Sequence, residues 1–442
     1  MSLGLFPAAW MRVGWGMRVG ICLRRTADPA HRARFRTAIS GEARVYLRNG
    51  IRSGFVRCKQ RSSIGRLVGE LESRRLRTKL SANLDFLRAV AVLLVLAQHL
   101  LRRFEVGARI PAIGTFGVFI FFVHTCLVLM YSMERSGLGG KALFGNFYIR
   151  RIFRIYPLSM LAVLTAVILS LDSGVGGLPG LSRAAFVGLG RICSNLLLVQ
   201  NLVKPGSIIN VLWSLPYEVQ MYVFLPFLFL WIRKKRDAVW PLCILWLLSI
   251  VSAVIQMKLA PLTGPSSMVR RMTLLQMVPN FLPGVIAFVL PHTPKMKSFL
   301  WPVLILMLAG VYVAWPVTSI GWILCLLLGL AIPYFHEIQT GWLRLVSNRI
   351  AVYSYGVYLS HQFCIWFVDD PLSSLAVWVK IPVLTVLLIG VPIVLYHSIE
   401  KPMMRVGATL AEKWSARMLP VLSLTNEKDI PCESQCASVK VL

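Results

Sequence analysis

The sequence predicts an all-α fold, a polytopic integral membrane protein built as a bundle of about ten transmembrane helices. Three observations predict it. Of 442 residues, 56% are hydrophobic, more apolar surface than a soluble fold could bury. From residue 84 onward, long apolar runs alternate with short polar connections. The charge is also uneven: residues 1–80 hold 18 Lys and Arg against 4 Asp and Glu, nearly half of the net +30.

The amino-terminal stretch lacks a long apolar run, and Arg12 and Arg18 interrupt what would have to be a signal-peptide core. Residues 1–80 are therefore expected to form a basic, disordered cytoplasmic segment. A nucleic-acid arm is not expected, because the aromatic interleaving of such modules is missing.

Ten spans follow, near 84–101, 114–131, 155–171, 218–232, 239–257, 275–290, 299–315, 318–335, 350–368 and 380–398. With the amino terminus cytoplasmic, Arg150, Arg151, Arg154 and the run from Arg233 to Asp237 fall on the inner side. Both termini are then cytoplasmic and the protein belongs in the inner (cell) membrane. The domain comprises residues 81–402, and residues 403–442 read as a polar, disordered tail. Of the nine cysteines, Cys126, Cys243, Cys325 and Cys364 lie in apolar runs as small hydrophobes. Their spacing supports neither a disulfide framework nor a metal site.

The first span, NLDFLRAVAVLLVLAQHLL, carries Arg88 and His99 eleven residues apart, close to three helical turns. Both side chains fall on one face, roughly 16 Å apart along the axis. Asp85 shares that face and can pair with Arg88. Ionisable groups inside a membrane cost about 2.5–3.5 kcal/mol and usually face a cavity or bundle interior, so the pattern points to a site.

In the second span, Gly114 and Gly117 permit close packing, and His124 falls near the middle, open to a structural or a functional reading. At the third, FYIRRIFRIYPL puts Arg151 and Arg154 on one face at the cytoplasmic surface. Two guanidiniums suit a phosphate or diphosphate, and positive-inside anchoring explains them equally well. At the outer end of the fourth span, LWSLPYEVQMYVFLP carries Glu218 among Trp213, Tyr217 and Tyr222. The ninth, YSYGVYLSHQFCIWF, places His361 near Tyr358 and Ser360.

Taken together, LDFLRAVAV with His99, GVFIFF, RRIFRIYP, WSLPYEVQMY, SYGVYLSH and the closing SIEKP (Ser398 to Pro402) resemble the membrane-bound acyltransferase-3 family over about residues 81–402. The second span departs from the family pattern, with Phe119 where many members have Asp and His124-Thr125 near their Ser-Gly.

The resemblance implies transfer of an acyl group, commonly acetyl, from acyl-coenzyme A to a hydroxyl of an exported or cell-surface glycan. The partners it implies are membrane lipid, acyl-coenzyme A and a carbohydrate or lipid-linked glycan; no nucleic acid and no metal is expected. His99 is the expected general base, Arg88 the group that orients the donor or offsets oxyanion charge, and His361 a second candidate. Glu218 is expected to bind sugar hydroxyls or orient a histidine. Arg151 and Arg154 are expected to hold the coenzyme A phosphates. A transporter of a glycan or lipid-linked substrate is the alternative, although inverted repeats and matching broken helices are not apparent.

Overall fold

The computed structural model describes residues 10–13, 17–20, 81–103, 112–172, 188–203, 206–235, 237–259 and 273–418. The chain divides into two units, Met1–Gly69 and Glu70–Leu442. In the first, strand β1 (Trp10–Val13) pairs antiparallel with β2 (Met17–Gly20), Trp10 opposite Gly20. The rest of the basic segment, with its expected disorder, lies outside the described residues.

The second unit is all-α. Its helices are α1 (Ala82–Arg103), α2 (Ile113–Ser136), α3 (Gly140–Asp172), α4 (Leu189–Leu196), α5 (Gln200–Val203), α6 (Leu215–Lys234) and α7 (Val239–Leu259). Then come α8 (Leu274–Val289), α9 (Leu300–Ala314), α10 (Thr318–Ala331), α11 (Gly341–Asp369), α12 (Val377–Leu395) and α13 (Lys401–Met418). Each of the ten expected spans overlies a helix of this series. Among the described residues, six helices are long and apolar enough to cross a membrane: α1, α2, α3, α6, α7 and the continuous α12–α13. Three more, α8, α9 and α10, are apolar but shorter, and α11 carries Arg344, Arg349 and Asp369. The protein is a multi-pass membrane protein.

Helix α2 is the centre of the bundle. Phe116, Phe119, Ile120 and Phe122 are fully buried, so most of the FIFF run is core rather than lipid-facing. The Phe122 ring stacks on Phe281 of α8 at 4.0 Å. Gly117 lets α1 approach: a Cβ there would lie 2.6 Å from the Ala91 carbonyl oxygen. By contrast, α7 exposes Trp240, Ile244, Leu248, Val251 and Ile255, an apolar stripe suited to lipid.

Two prolines, Pro279 and Pro283, sit inside α8. Proline at 283 leaves the Pro279 carbonyl without its helical donor, and the Trp246 indole N–H supplies one at 3.0 Å. The start of α1 is tied down as well. Asn83 bonds His336 O and Ile338 N through its side chain, and its carbonyl accepts from Trp301 Nε1. This fixes α1 against the chain entering α11.

The order of contacts gives the sense of the helices. Asp85 meets Asn348, Arg88 meets Ser354 and His99 meets His361, so α1 and α11 run parallel. Phe122 meets Phe281 and Tyr131 meets Phe288, so α2 and α8 are also parallel.

The tail after Pro402 was expected to be disordered, and there the structure corrects the sequence reading. Residues 401–418 form α13, because Gly407, Ala411 and Ser415 recur every four residues and bury one face against α3. Residues 419–442 lie outside the described residues.

Candidate functional site

The third helix begins at Gly140, fifteen residues before the expected span. Arg151 and Arg154 thus lie about 16 and 21 Å along it rather than at its mouth. Both project into a cavity of about 90 Å³ inside the bundle. Arg88 of α1, His124 of α2, Glu218 and Tyr222 of α6, and Tyr358 of α11 line the same space. Three cations and a carboxylate from three helices converge there, in a wall that also includes Phe121, Phe122, Val128 and Leu129.

Each polar group has a distinct setting. Arg88 donates from Nε to Ser354 Oγ at 2.6 Å. The expected Asp85–Arg88 pair does not form; Asp85 instead accepts from Asn348 Nδ2 at 3.0 Å. Arg154 Nη1 lies 3.2 Å from Glu400 Oε1 and 2.7 Å from Met404 Sδ. Arg151 has no hydrogen bond or ion pair among the described residues, so its donors are open to a ligand. Glu218 accepts from the Tyr222 hydroxyl one turn along α6. Tyr358 donates to Val211 O and shares a 2.6 Å hydrogen bond with Ser214 Oγ.

Glu218 was expected at the outer end of its span, toward the outer face. It sits instead among the arginines, because the chain before α6 folds into the bundle: Val211 and Ser214 pack on Tyr358, and Leu197 O accepts from Tyr156.

The two histidines form a second centre. His99 and His361 lie with ring centroids 5.0 Å apart, and neither lines the arginine cavity. His361 Nδ1 bonds Val357 O at 2.9 Å, while its buried Nε2 has no partner among the described residues. A carbonyl only accepts, so the proton sits on Nδ1 and Nε2 is left as an acceptor. Tyr358 stands between the centres: it lines the cavity, and its ring is 6.4 Å from that of His361.

Arg88 and His99 therefore share the face of α1 that meets α11, as their spacing predicts, but only Arg88 lines the cavity, while His99 meets His361. Ser354 and Glu400 were not singled out from the sequence, and Tyr222 was named there only as one of the aromatics around Glu218. Ser354 and Tyr222 carried no signal beyond their place in polar-aromatic runs. Glu400 did carry one, a carboxylate closing an apolar run within SIEKP.

Residues 81–397 match the model of a family described as an acyltransferase domain. No curated protein and no solved structure matches the chain. The match spans α1 to the end of α12, taking in every residue of both centres except Glu400 and Met404. The chain belongs to the acyltransferase-3 family and is a membrane-embedded acyltransferase.

Proposed function

We propose that the protein moves an acyl group, acetyl first among them, from cytoplasmic acyl-coenzyme A to a hydroxyl of an exported or cell-surface glycan. The observation that carries this reading is the cavity in which Arg88, Arg151 and Arg154 converge. Guanidiniums grip phosphate through paired donors, and the uncommitted Arg151 is the strongest candidate for that contact.

The chemistry follows from the two adjoining centres. The donor phosphates sit among the arginines, and the pantetheine arm passes Tyr358 to bring the thioester to the histidine pair. His99 takes the proton of the acceptor hydroxyl as its oxygen attacks the thioester carbonyl. Collapse of the tetrahedral intermediate expels the coenzyme A thiolate, and the imidazolium returns the proton to sulfur. Arg88 is far along α1 from His99, which favours a role in orienting the donor over one at the oxyanion. Glu218 lies among the same arginines, so it balances their charge and orients them or His124 rather than holding a sugar at His99.

The test is one of sidedness. In sealed, oriented vesicles of the inner-membrane type, acetyl-coenzyme A supplied on the cytoplasmic side should acylate a glycan enclosed on the other. Product formed only when both substrates share the cytoplasmic compartment would overturn the cross-membrane arrangement.

A further inference from the structure

Between α12 and α13 the helix widens into a π turn, Tyr396–Glu400. Such turns interrupt the regular ladder and redirect the residues at their ends. The residue that ends this one is Glu400, three positions beyond the family match. Its side chain is completely buried, and among the described residues neither carboxylate oxygen accepts a hydrogen bond. A buried carboxylate without compensation is strongly unfavourable, so its one ion pair among the described residues has to account for it. That partner is Arg154, 3.2 Å away, whose side chain lines the cavity.

The details of the contact matter. Arg154 uses Nη1 for both Glu400 and Met404. A guanidinium has five N–H donors, so Nε and Nη2 remain uncommitted while one edge is anchored. The anchor is itself held in place. Helix α13 lies against α3, where a Cβ at Gly407 would come 2.5 Å from Phe153 Cβ, next to Arg154. On the same flank, Asn146 of α3 bonds Ser415 Oγ at 2.9 Å.

We infer that Glu400 is a positioning residue for the donor: it fixes the Arg154 guanidinium at the cavity, and so couples α13 to the gripping of a phosphorylated acyl carrier. The inference rests on the proposed donor. It assigns the buried carboxylate, the π turn and α13 to one task.

The test compares Glu400→Gln, Arg154→Gln and the double variant with the wild type in detergent, using acetyl-coenzyme A and the phosphate-free acetyl-pantetheine as donors. In Glu400→Gln the KM for acetyl-coenzyme A should rise roughly tenfold, the scale of a lost charge-assisted contact, with little change in kcat. The KM for acetyl-pantetheine should not move. In the double variant the KM for acetyl-coenzyme A should match that of Arg154→Gln alone, because Glu400 acts only through Arg154.

Equal losses with both donors, a fall in kcat alone, or additive effects in the double variant would each reduce Glu400 to a structural residue. Where Arg154→Gln folds poorly, Glu400→Gln against the wild type with the two donors still decides the question; where Glu400→Gln folds poorly, Glu400→Asp, which keeps the charge but withdraws the carboxylate from Nη1, takes its place in the same two-donor comparison. A wild-type enzyme inert toward acetyl-coenzyme A would overturn the parent reading and this inference with it. An active wild type with an unchanged Glu400→Gln variant would overturn only the inference.

Discussion

His99 and His361 meet across the parallel helices α1 and α11, with ring centroids 5.0 Å apart and planes tilted by 50°. With its Nδ1 proton committed to Val357 O, His361 presents Nε2 as an acceptor. The pair thus has one ring fixed by its own helix and one free to act on a substrate.

That asymmetry sets the first prediction. Replacing His99 with Ala should lower turnover by about 10²–10⁴-fold while leaving insertion intact. Replacing His361 with Ala should cost less, roughly tenfold, and the double variant should be no slower than His99→Ala. Steady-state turnover of the three variants checks this. Near-normal turnover in His99→Ala with a large loss in His361→Ala would transfer the base role to His361.

The two arginines of the third helix should also part company. Arg154 neutralises a buried carboxylate, so Arg154→Gln should destabilise the protein by about 3–5 kcal/mol, and adding Glu400→Gln should recover most of that. Arg151 has no such partner, so Arg151→Gln should weaken donor binding at nearly unchanged stability. Thermal unfolding in detergent, read beside donor KM, separates the two. Equal destabilisation by both substitutions would contradict the assignment.

How far these features could be read from the sequence differs from residue to residue. Apolar runs of about twenty residues locate membrane helices because the hydrocarbon thickness sets their length, so each expected span overlies a helix. The face shared by Arg88 and His99 was legible for a similar reason, the 3.6-residue period. The start of α3 was not, because Lys141, Asn146, Arg150, Arg151 and Arg154 interrupt its apolar residues, and Asn146 and Arg150 direct their polar groups to α13. Helix α13 read as a polar tail because its buried face is Gly407, Ala411 and Ser415, small residues with little hydrophobic signal. The pairing of Arg154 with Glu400 joins positions 246 residues apart in sequence, which no local pattern encodes. Glu218 was misplaced because a span boundary was taken for a membrane surface, whereas the chain before α6 folds back into the bundle.

Close packing of α1 on α2 gives a third prediction. Replacing Gly117 with Ala would bring a Cβ to 2.6 Å of the Ala91 carbonyl and force the helices apart. A loss of about 1–3 kcal/mol is expected. Because α1 carries both Arg88 and His99, turnover should fall as well. A thermal midpoint equal to that of the wild type would show that the two helices can separate freely.

The basic amino-terminal segment should be dispensable for chemistry. The family match begins at residue 81, and every residue of the two centres lies at Arg88 or beyond. A chain starting at Glu70, the first residue of the second unit, should insert and keep its specific activity. Loss of activity with normal insertion would give the segment a role in the reaction.

The most direct measurement is release of the free coenzyme A thiol from acetyl-coenzyme A by the purified protein in detergent, with wild type and His99→Ala side by side. The wild type should release thiol in proportion to enzyme, faster when a glycan acceptor is added, and His99→Ala should fall toward the background. Absence of thiol release by the wild type, or equal release by His99→Ala, would contradict the assignment of acyl-coenzyme A as donor or of His99 as base.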